Sequence, residues 1–269
     1  EEDVLQVPAD QLRPFKTPSQ APAPATQESR EREPQNGADW AMTGYVGPTI
    51  DVPEEFWSVD QKTGTNGWRT SVNPNGDVKK GKFNLYTVGR MAQAWASYLR
   101  RELSAGEKVI VGFDNRPNSD VFALLFARVL KANGIEVVWS NVATSSPAMV
   151  RMTNPGQGMP YGFLVTASHN PPTDNGIKFY TNGVVMPDPV AVPVTAGVKD
   201  LRAFAEAPLS VRFDMREGEF PQVDSLAVSQ AHYDAHFRGL TEGLKKYQET
   251  SGAWLMLDQL HGSSSGLAD

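Results

Sequence analysis

The segment Leu164–Tyr180, LVTASHNPPTDNGIKFY, gathers a hydroxyl (Ser168), an imidazole (His169), a carboxamide (Asn170) and a primary amine (Lys178) into one short stretch of chain. Two consecutive prolines, Pro171 and Pro172, stiffen it, and Asn175-Gly176 supplies a tight turn. Serine is a weak nucleophile until a base or a phosphoryl group changes its role. The hydrolase elbow G-x-S-x-G is not matched by Thr166-Ala167-Ser168-His169-Asn170. In extended backbone adjacent side chains alternate faces, which predicts His169 pointing away from Ser168. A Ser–His hydrolase is therefore disfavoured. Phosphate chemistry suits the inventory better, because turn N–H groups, His169, Asn170 and the compact cation of Lys178 could together surround a phosphate. The other reading of the same composition is a capped β-turn whose serine bonds only to backbone.

These groups need a frame. Gly162–Val165 has the length of a buried strand and leads into the polar loop; Ile177–Tyr180 leads out of it as a second strand. Upstream, Val88, Met91, Ala92, Trp95 and Leu99 fall at helical spacing after a possible Asn84 cap, predicting an amphipathic helix to about Leu103. Lys108–Asp114 reads as a strand, Val121–Ala132 as a helix capped by Asn118 or Ser119 and stopped at Gly134, and Ile135–Trp139 as a further strand. That β-α-β unit predicts parallel neighbours. A short helix at Pro147–Met152 follows, then the strand that enters the Ser168 loop. Ligands of open α/β sheets sit outside the carboxyl ends of strands, so Asp114-Asn115-Arg116 and the Ser168 loop could face one cleft. Asp114 and Arg116 are equally readable as a structural ion pair. Downstream, helices are predicted near Val192–Ala205 and Ser225–Tyr247, and a strand at Ala253–Asp258.

Composition narrows the function classes. The chain of 269 residues has a formal net charge of −6, which argues against general nucleic-acid binding. Cysteine is absent, so disulfides, thiolate metal sites and cysteine catalysis are excluded. That absence fits a reducing compartment, and a cytoplasmic location is expected. No apolar run approaches the roughly 18 residues of a membrane span. Up to about Gln35 the sequence is rich in proline, glutamine and glutamate, and is expected to be a disordered extension. Trp40–Trp57 brings back aromatics and is expected to lie on the folded body without regular structure. Gln61–Thr70, QKTGTNGWRT, reads as a glycine-punctuated surface turn ending in Trp68-Arg69. His232 and His236 share the i, i+4 spacing of a metal pair but lack a third ligand, which favours a solvent-facing helix.

Thr166-Ala167-Ser168-His169-Asn170-Pro171, followed by Asn175-Gly176-Ile177-Lys178, resembles the phosphoserine loop of the α-D-phosphohexomutases, the phosphoglucomutase/phosphomannomutase family. Three further segments fit in order. Gly64-Thr65-Asn66-Gly67-Trp68-Arg69 resembles the family's G-T-S-G-x-R loop, with Asn66 where serine is usual. Gly112-Phe113-Asp114-Asn115-Arg116 resembles its G-x-D-x-R segment, and Asp258-Gln259-Leu260-His261-Gly262 its D-x-x-H-G. The resemblance implies a mixed, mostly parallel α/β sheet flanked by helices over residues 60–222, followed by the start of a second α/β domain over 223–269. Residues 1–59 are expected to form a disordered or irregular extension.

The implied activity is reversible transfer of a phosphoryl group between C1 and C6 of a hexose phosphate, through a phosphoserine at Ser168 and a bisphosphorylated sugar. Lys178 and Arg69 match family positions for acid/base work and phosphate stabilisation. An arginine of very high pKa is an awkward base, which leaves Arg69 the electrostatic role. His169, Asn170, Thr65 and Arg116 are the implied phosphate and substrate contacts. The resemblance also implies Mg²⁺, held through the phosphate on Ser168 and by a D-x-D-x-D loop, and a glucose 1,6-bisphosphate-type activator. No D-x-D-x-D occurs in this chain. The chain is accordingly expected to be the N-terminal part of a longer enzyme and inactive in turnover by itself. The TASHNPP form favours glucose or mannose phosphate over glucosamine phosphate. The alternative is a non-catalytic sugar-phosphate-binding or scaffold protein derived from the same domain.

Overall fold

The computed structural model describes residues 42, 44–57, 63–64, 67–236 and 238–252. The expected extension up to Gln35, Thr65, Asn66, the strand Ala253–Asp258 and the segment Asp258–Gly262 lie outside the described residues. The strands are β1 (Thr49–Asp51), β2 (Thr63–Gly64), β3 (Gly67–Ser71), β4 (Val109–Phe113), β5 (Val137–Ser140), β6 (Tyr161–Val165), β7 (Asp174–Thr181), β8 (Val184–Val185), β9 (Ala203–Ala205) and β10 (Gln222–Val223). The α-helices are α1 (Leu85–Glu102), α2 (Ser119–Ala132), α3 (Ser146–Met152), α4 (Asp188–Ala196), α5 (Ser225–His236) and α6 (Arg238–Ser251).

The main sheet runs β10-β5-β4-β6-β7-β3-β2, with β8 hydrogen-bonded to β7. Its β10, β5, β4 and β6 strands pair in parallel. From β7 onward the pairing with β6, β3 and β8 is antiparallel, as is β3 with β2. The sheet is mixed, as expected, with parallel pairing confined to that one half. The parallel half matters most, because β4, β5 and β6 all release their chain at the same edge.

Helix α1 forms where its apolar stripe predicts, and Val88, Met91, Ala92, Trp95 and Leu99 are all fully buried. Asn84 Oδ1 accepts from the Tyr86 and Thr87 N–H groups, while Thr87 Oγ1 accepts from the Asn84 N–H, closing a capping box. Helices α1 and α2 cover one face of the sheet with Phe163, Ile177 and Phe179. A smaller cluster of Ile110, Met149, Leu164 and Tyr180 places α3 on the opposite face. Period-two alternation along β7 explains the split, since Ile177 and Phe179 face one way while Lys178 and Tyr180 face the other.

Three expectations need correction. Thr49–Asp51 is not irregular: it pairs antiparallel with Ala203–Ala205. This piece is fixed by the buried Arg90, whose guanidinium donates to the Phe56 and Val198 carbonyls. The helix expected at Val192–Ala205 instead ends at Ala196, with Pro193 already inside it, because Ala203–Ala205 is claimed by its distant strand partner. The helix expected over Ser225–Tyr247 is helical in all its described residues, as α5 and α6, with residue 237 between them outside the described residues. Asn118 does not cap α2: it sits at φ 62° with no side-chain cap bond, and Ser119 Oγ instead donates to Asp114 Oδ1 at 2.8 Å.

The loop before β10 is tied to α2 by Arg128, whose Nε donates to Glu219 Oε1 at 2.7 Å and whose Nη1 donates to Asp214 Oδ1 at 3.1 Å. The bond from Arg128 holds the Glu219 carboxyl below its ordinary range, against the opposing effect of burial. Its stabilisation is therefore complete above the unfolded carboxylate range and is lost as pH falls through the depressed native value. Glu219→Gln should cost roughly 2 kcal/mol near neutral pH, and the cost should shrink on acidification. Melting curves across the acid range would check both.

Candidate active site

Ser168 lies just beyond β6 and is exposed at the carboxyl edge of the parallel half. Its φ of 61° is left-handed, a conformation that non-glycine residues avoid. The turn is closed by the Ser168 N–H donating to Thr166 Oγ1 at 2.9 Å and the Asn170 N–H to the Ala167 carbonyl at 3.2 Å. Left-handed backbone does not alternate its side chains as a strand does. Ser168 Oγ consequently lies 3.2 Å from His169 Nδ1, contrary to the expectation that the imidazole points away.

Arg116 holds this turn in place. Nη1 donates to the carbonyls of Pro171 (2.7 Å) and Asp174 (3.0 Å), and Nη2 to those of Ser168 (2.8 Å) and Asn170 (2.7 Å). Nε lies 3.3 Å from Asp114 Oδ2. All four terminal N–H groups of the guanidinium are thereby spent on the loop backbone. In this structure Arg116, expected as a phosphate contact, acts as a clamp on the loop, with Asp114 as its partner. Asp114 Oδ1 also accepts from the Arg116 N–H and from Ser119 Oγ, and Ser119 Oγ accepts from Asn175 Nδ2. The exits of β4 and β6, the start of α2 and the start of β7 are stitched through this one carboxylate. Asn170 Nδ2 donates to Asp174 Oδ2 at 3.0 Å, pinning its carboxamide across the loop.

The cations come from the antiparallel half. Arg69 on β3 stands opposite Gly176 on β7, so the two share a face. That face also carries Lys178. A Cβ at Gly176 would stand 2.8 Å from Arg69 Cγ, so the missing side chain lets Arg69 cross toward the lysine. Lys178 is buried, and burial lowers the pKa of its amine, helped by the positive charge of Arg69 and opposed by Asp114. Burial likewise lowers Arg69, with Tyr180 and Arg116 acting in opposite directions. Lys178 Nζ donates to Ser146 Oγ at 3.2 Å. Sequence reading missed Ser146 and Tyr180, although period-two alternation places Tyr180 on the face of Lys178. Thr65 lies outside the described residues.

The site thus offers an exposed hydroxyl with an imidazole beside it, on a turn clamped from behind, and two partly desolvated cations on one sheet face. It can accept a dianion. A Mg²⁺ ion finds little here: among the described residues no group of three or more His, Asp or Glu side chains is placed to hold a metal. Asp114 and Asp174, the loop's own carboxylates, are engaged with Arg116 and Asn170. The described residues do not by themselves fit the ion. His232, weighed as one of a metal-binding pair, instead shares a hydrogen bond with Arg151, and the His236 side chain lies outside the described residues. Among the described residues no helix is long and apolar enough to cross a membrane.

Residues 60–203 match the sequence profile of phosphoglucomutase/phosphomannomutase, alpha/beta/alpha domain I. A phosphoglucomutase of Staphylococcus haemolyticus is 25% identical over 81% of this chain and 38% of its own length. A phosphoglucosamine mutase of Picosynechococcus sp. is 32% identical over 76% of this chain and 39% of its own. Among solved structures, a Thermus thermophilus protein described as a phosphomannomutase is similar at a TM-score of 0.50 and 25% identity, covering 70% of this chain and 37% of that one. The chain spans about two fifths of the length of each of these two curated relatives.

Proposed function

The chain belongs to the phosphoglucomutase/phosphomannomutase family, and from that membership we propose that it is the phosphoserine-bearing, N-terminal part of a hexose-phosphate mutase. Ser168 Oγ takes a phosphoryl group from a 1,6-bisphosphorylated hexose as the bond from that phosphorus to the sugar oxygen breaks. The sugar oxygen takes up a proton and leaves as the hydroxyl of a hexose monophosphate. In the reverse sense the phosphoserine passes its phosphoryl group to the free hydroxyl of the next monophosphate. The serine proton leaves as the P–O bond forms, and His169 Nδ1, 3.2 Å away, is placed to receive it. Lys178 and Arg69 supply positive charge and, in the case of Lys178, an amine whose lowered pKa suits proton exchange. The single observation that carries this reading is the exposed Ser168 hydroxyl on a strained turn clamped by Arg116, in a loop shared with the family. Mg²⁺, if used, needs carboxylates beyond the described residues.

The proposed sugar is glucose or mannose phosphate, on the form of the TASHNPP loop, although relatives named phosphoglucosamine mutase also match. The test is ³¹P NMR of the protein in its natural length with glucose, mannose or glucosamine 1-phosphate, each primed with the bisphosphate. Conversion of the glucose or mannose ester to the 6-phosphate is expected. Conversion of the glucosamine ester alone would overturn the choice of sugar. No conversion of any would overturn the enzyme and leave the sugar-phosphate-binding or scaffold reading.

A further inference from the structure

Ser146 opens α3 after the short connection that follows β5, with Ser145 Oγ accepting from the Ala148 N–H as its cap. The helix lies low on the sheet because two strand positions beneath it have no side chain. A Cβ at Gly162 would stand 2.7 Å from Met149 Sδ and 2.7 Å from Thr153 Cγ2, and one at Gly112 would stand 2.8 Å from Thr144 Oγ1. This close seat carries the Ser146 hydroxyl to the two polar side chains of β7 on the same face. Ser146 Oγ accepts from Lys178 Nζ at 3.2 Å and from Tyr180 Oη at 3.0 Å. The Tyr180 ring is fully buried.

We propose that Ser146 and Tyr180 are positioning residues for Lys178, forming a hydroxyl cradle that holds the amine in both of its protonation states. When Lys178 is an ammonium, Ser146 Oγ accepts from it. When Lys178 is neutral, the serine hydroxyl turns and donates to the nitrogen. Tyr180 donates to Ser146 Oγ throughout and keeps that oxygen in place. A hydroxyl is the side-chain group that can both give and accept at one atom. A carboxylate there would trap the ammonium, and an aliphatic side chain would leave the buried amine without a partner. The proposal rests on the acid/base role given to Lys178 above, but the cradle itself is a matter of titration. The charged and titratable groups facing Lys178 are Arg69 from β3, Asp114 from the β4 exit and Tyr180 from its own strand. Leu164 of β6 stands opposite it.

The bond from the ammonium to Ser146 Oγ is charge-assisted and stronger than its neutral counterpart, so losing it disfavours the charged amine. Competitive acetylation with acetic anhydride across pH, read peptide by peptide by mass spectrometry, reports the titration of Lys178 in this chain without needing turnover. In Ser146→Ala the titration should move down by about one pH unit, and Ser146→Thr should restore it. Tyr180→Phe should produce a smaller downward move and serves as the second arm if Ser146→Ala does not fold. An unchanged Lys178 titration in the folded variants would overturn the cradle. A shifted titration in a chain whose Ser168 never carries phosphate would support the cradle and refute the mutase reading instead.

Discussion

Replacing Ser168 with alanine or with glycine is expected to abolish phosphoryl uptake by the chain, yet the two variants should differ in stability in an unusual order. Ser168 sits at φ 61°, where an L-residue pays about 1–2 kcal/mol. Glycine removes that strain but loses roughly 0.5–1 kcal/mol to the wider freedom of its unfolded chain. Alanine keeps the strain and loses the hydroxyl. Ser168→Gly should therefore melt no lower than the parent and about 1 kcal/mol above Ser168→Ala. Ser168→Thr keeps a hydroxyl but adds a β-branch where φ is positive, so it should loosen the loop while retaining part of the phosphoryl chemistry. Thermal melts and intact mass after exposure to a bisphosphorylated hexose would check the series.

The second large effect concerns Arg116. Its removal strips hydrogen-bond donors from four loop carbonyls and leaves the Asp114 carboxylate, only 12% exposed, without its cation. Breaking such a pair by deleting one partner costs about 3 kcal/mol. Arg116→Ala should accordingly raise the amide hydrogen exchange of residues 166–176 by roughly two orders of magnitude. Arg116→Lys should rescue little, because an ammonium cannot reproduce the planar fork that reaches carbonyls on both sides of the turn. Exchange rates unchanged in both variants would show that the turn holds itself.

Much of this architecture was legible because its causes are local. The stripe Val88, Met91, Ala92, Trp95 and Leu99 declares a helix with a buried face, and Asn84 with Thr87 marks its start. The β4-α2-β5 unit and the Ser168 loop were found from strand length, turn residues and family likeness. The failures share a different cause. Thr49–Asp51 and Ala203–Ala205 are strands only because each pairs with the other across the chain, and neither segment announces that partner. Arg116 could have faced ligand or loop, and residue type alone does not choose between them. His169 was misplaced because alternation was assumed at a serine whose backbone is left-handed. Ser146 went unnoticed because its importance depends on how closely α3 seats on Gly112 and Gly162, a packing fact with no signature in spacing.

Ser168 as the phosphoryl acceptor is the point on which the proposed chemistry turns. Exposing the protein in its natural length to glucose 1,6-bisphosphate, digesting it and locating phosphate by tandem mass spectrometry tests that most directly. The predicted result is one phosphoryl group on the peptide spanning residues 164–180, placed on Ser168 and absent from Ser168→Ala. A phosphate placed elsewhere and undiminished in that variant, or a protein that turns over while no phosphate is ever found on Ser168, would contradict it.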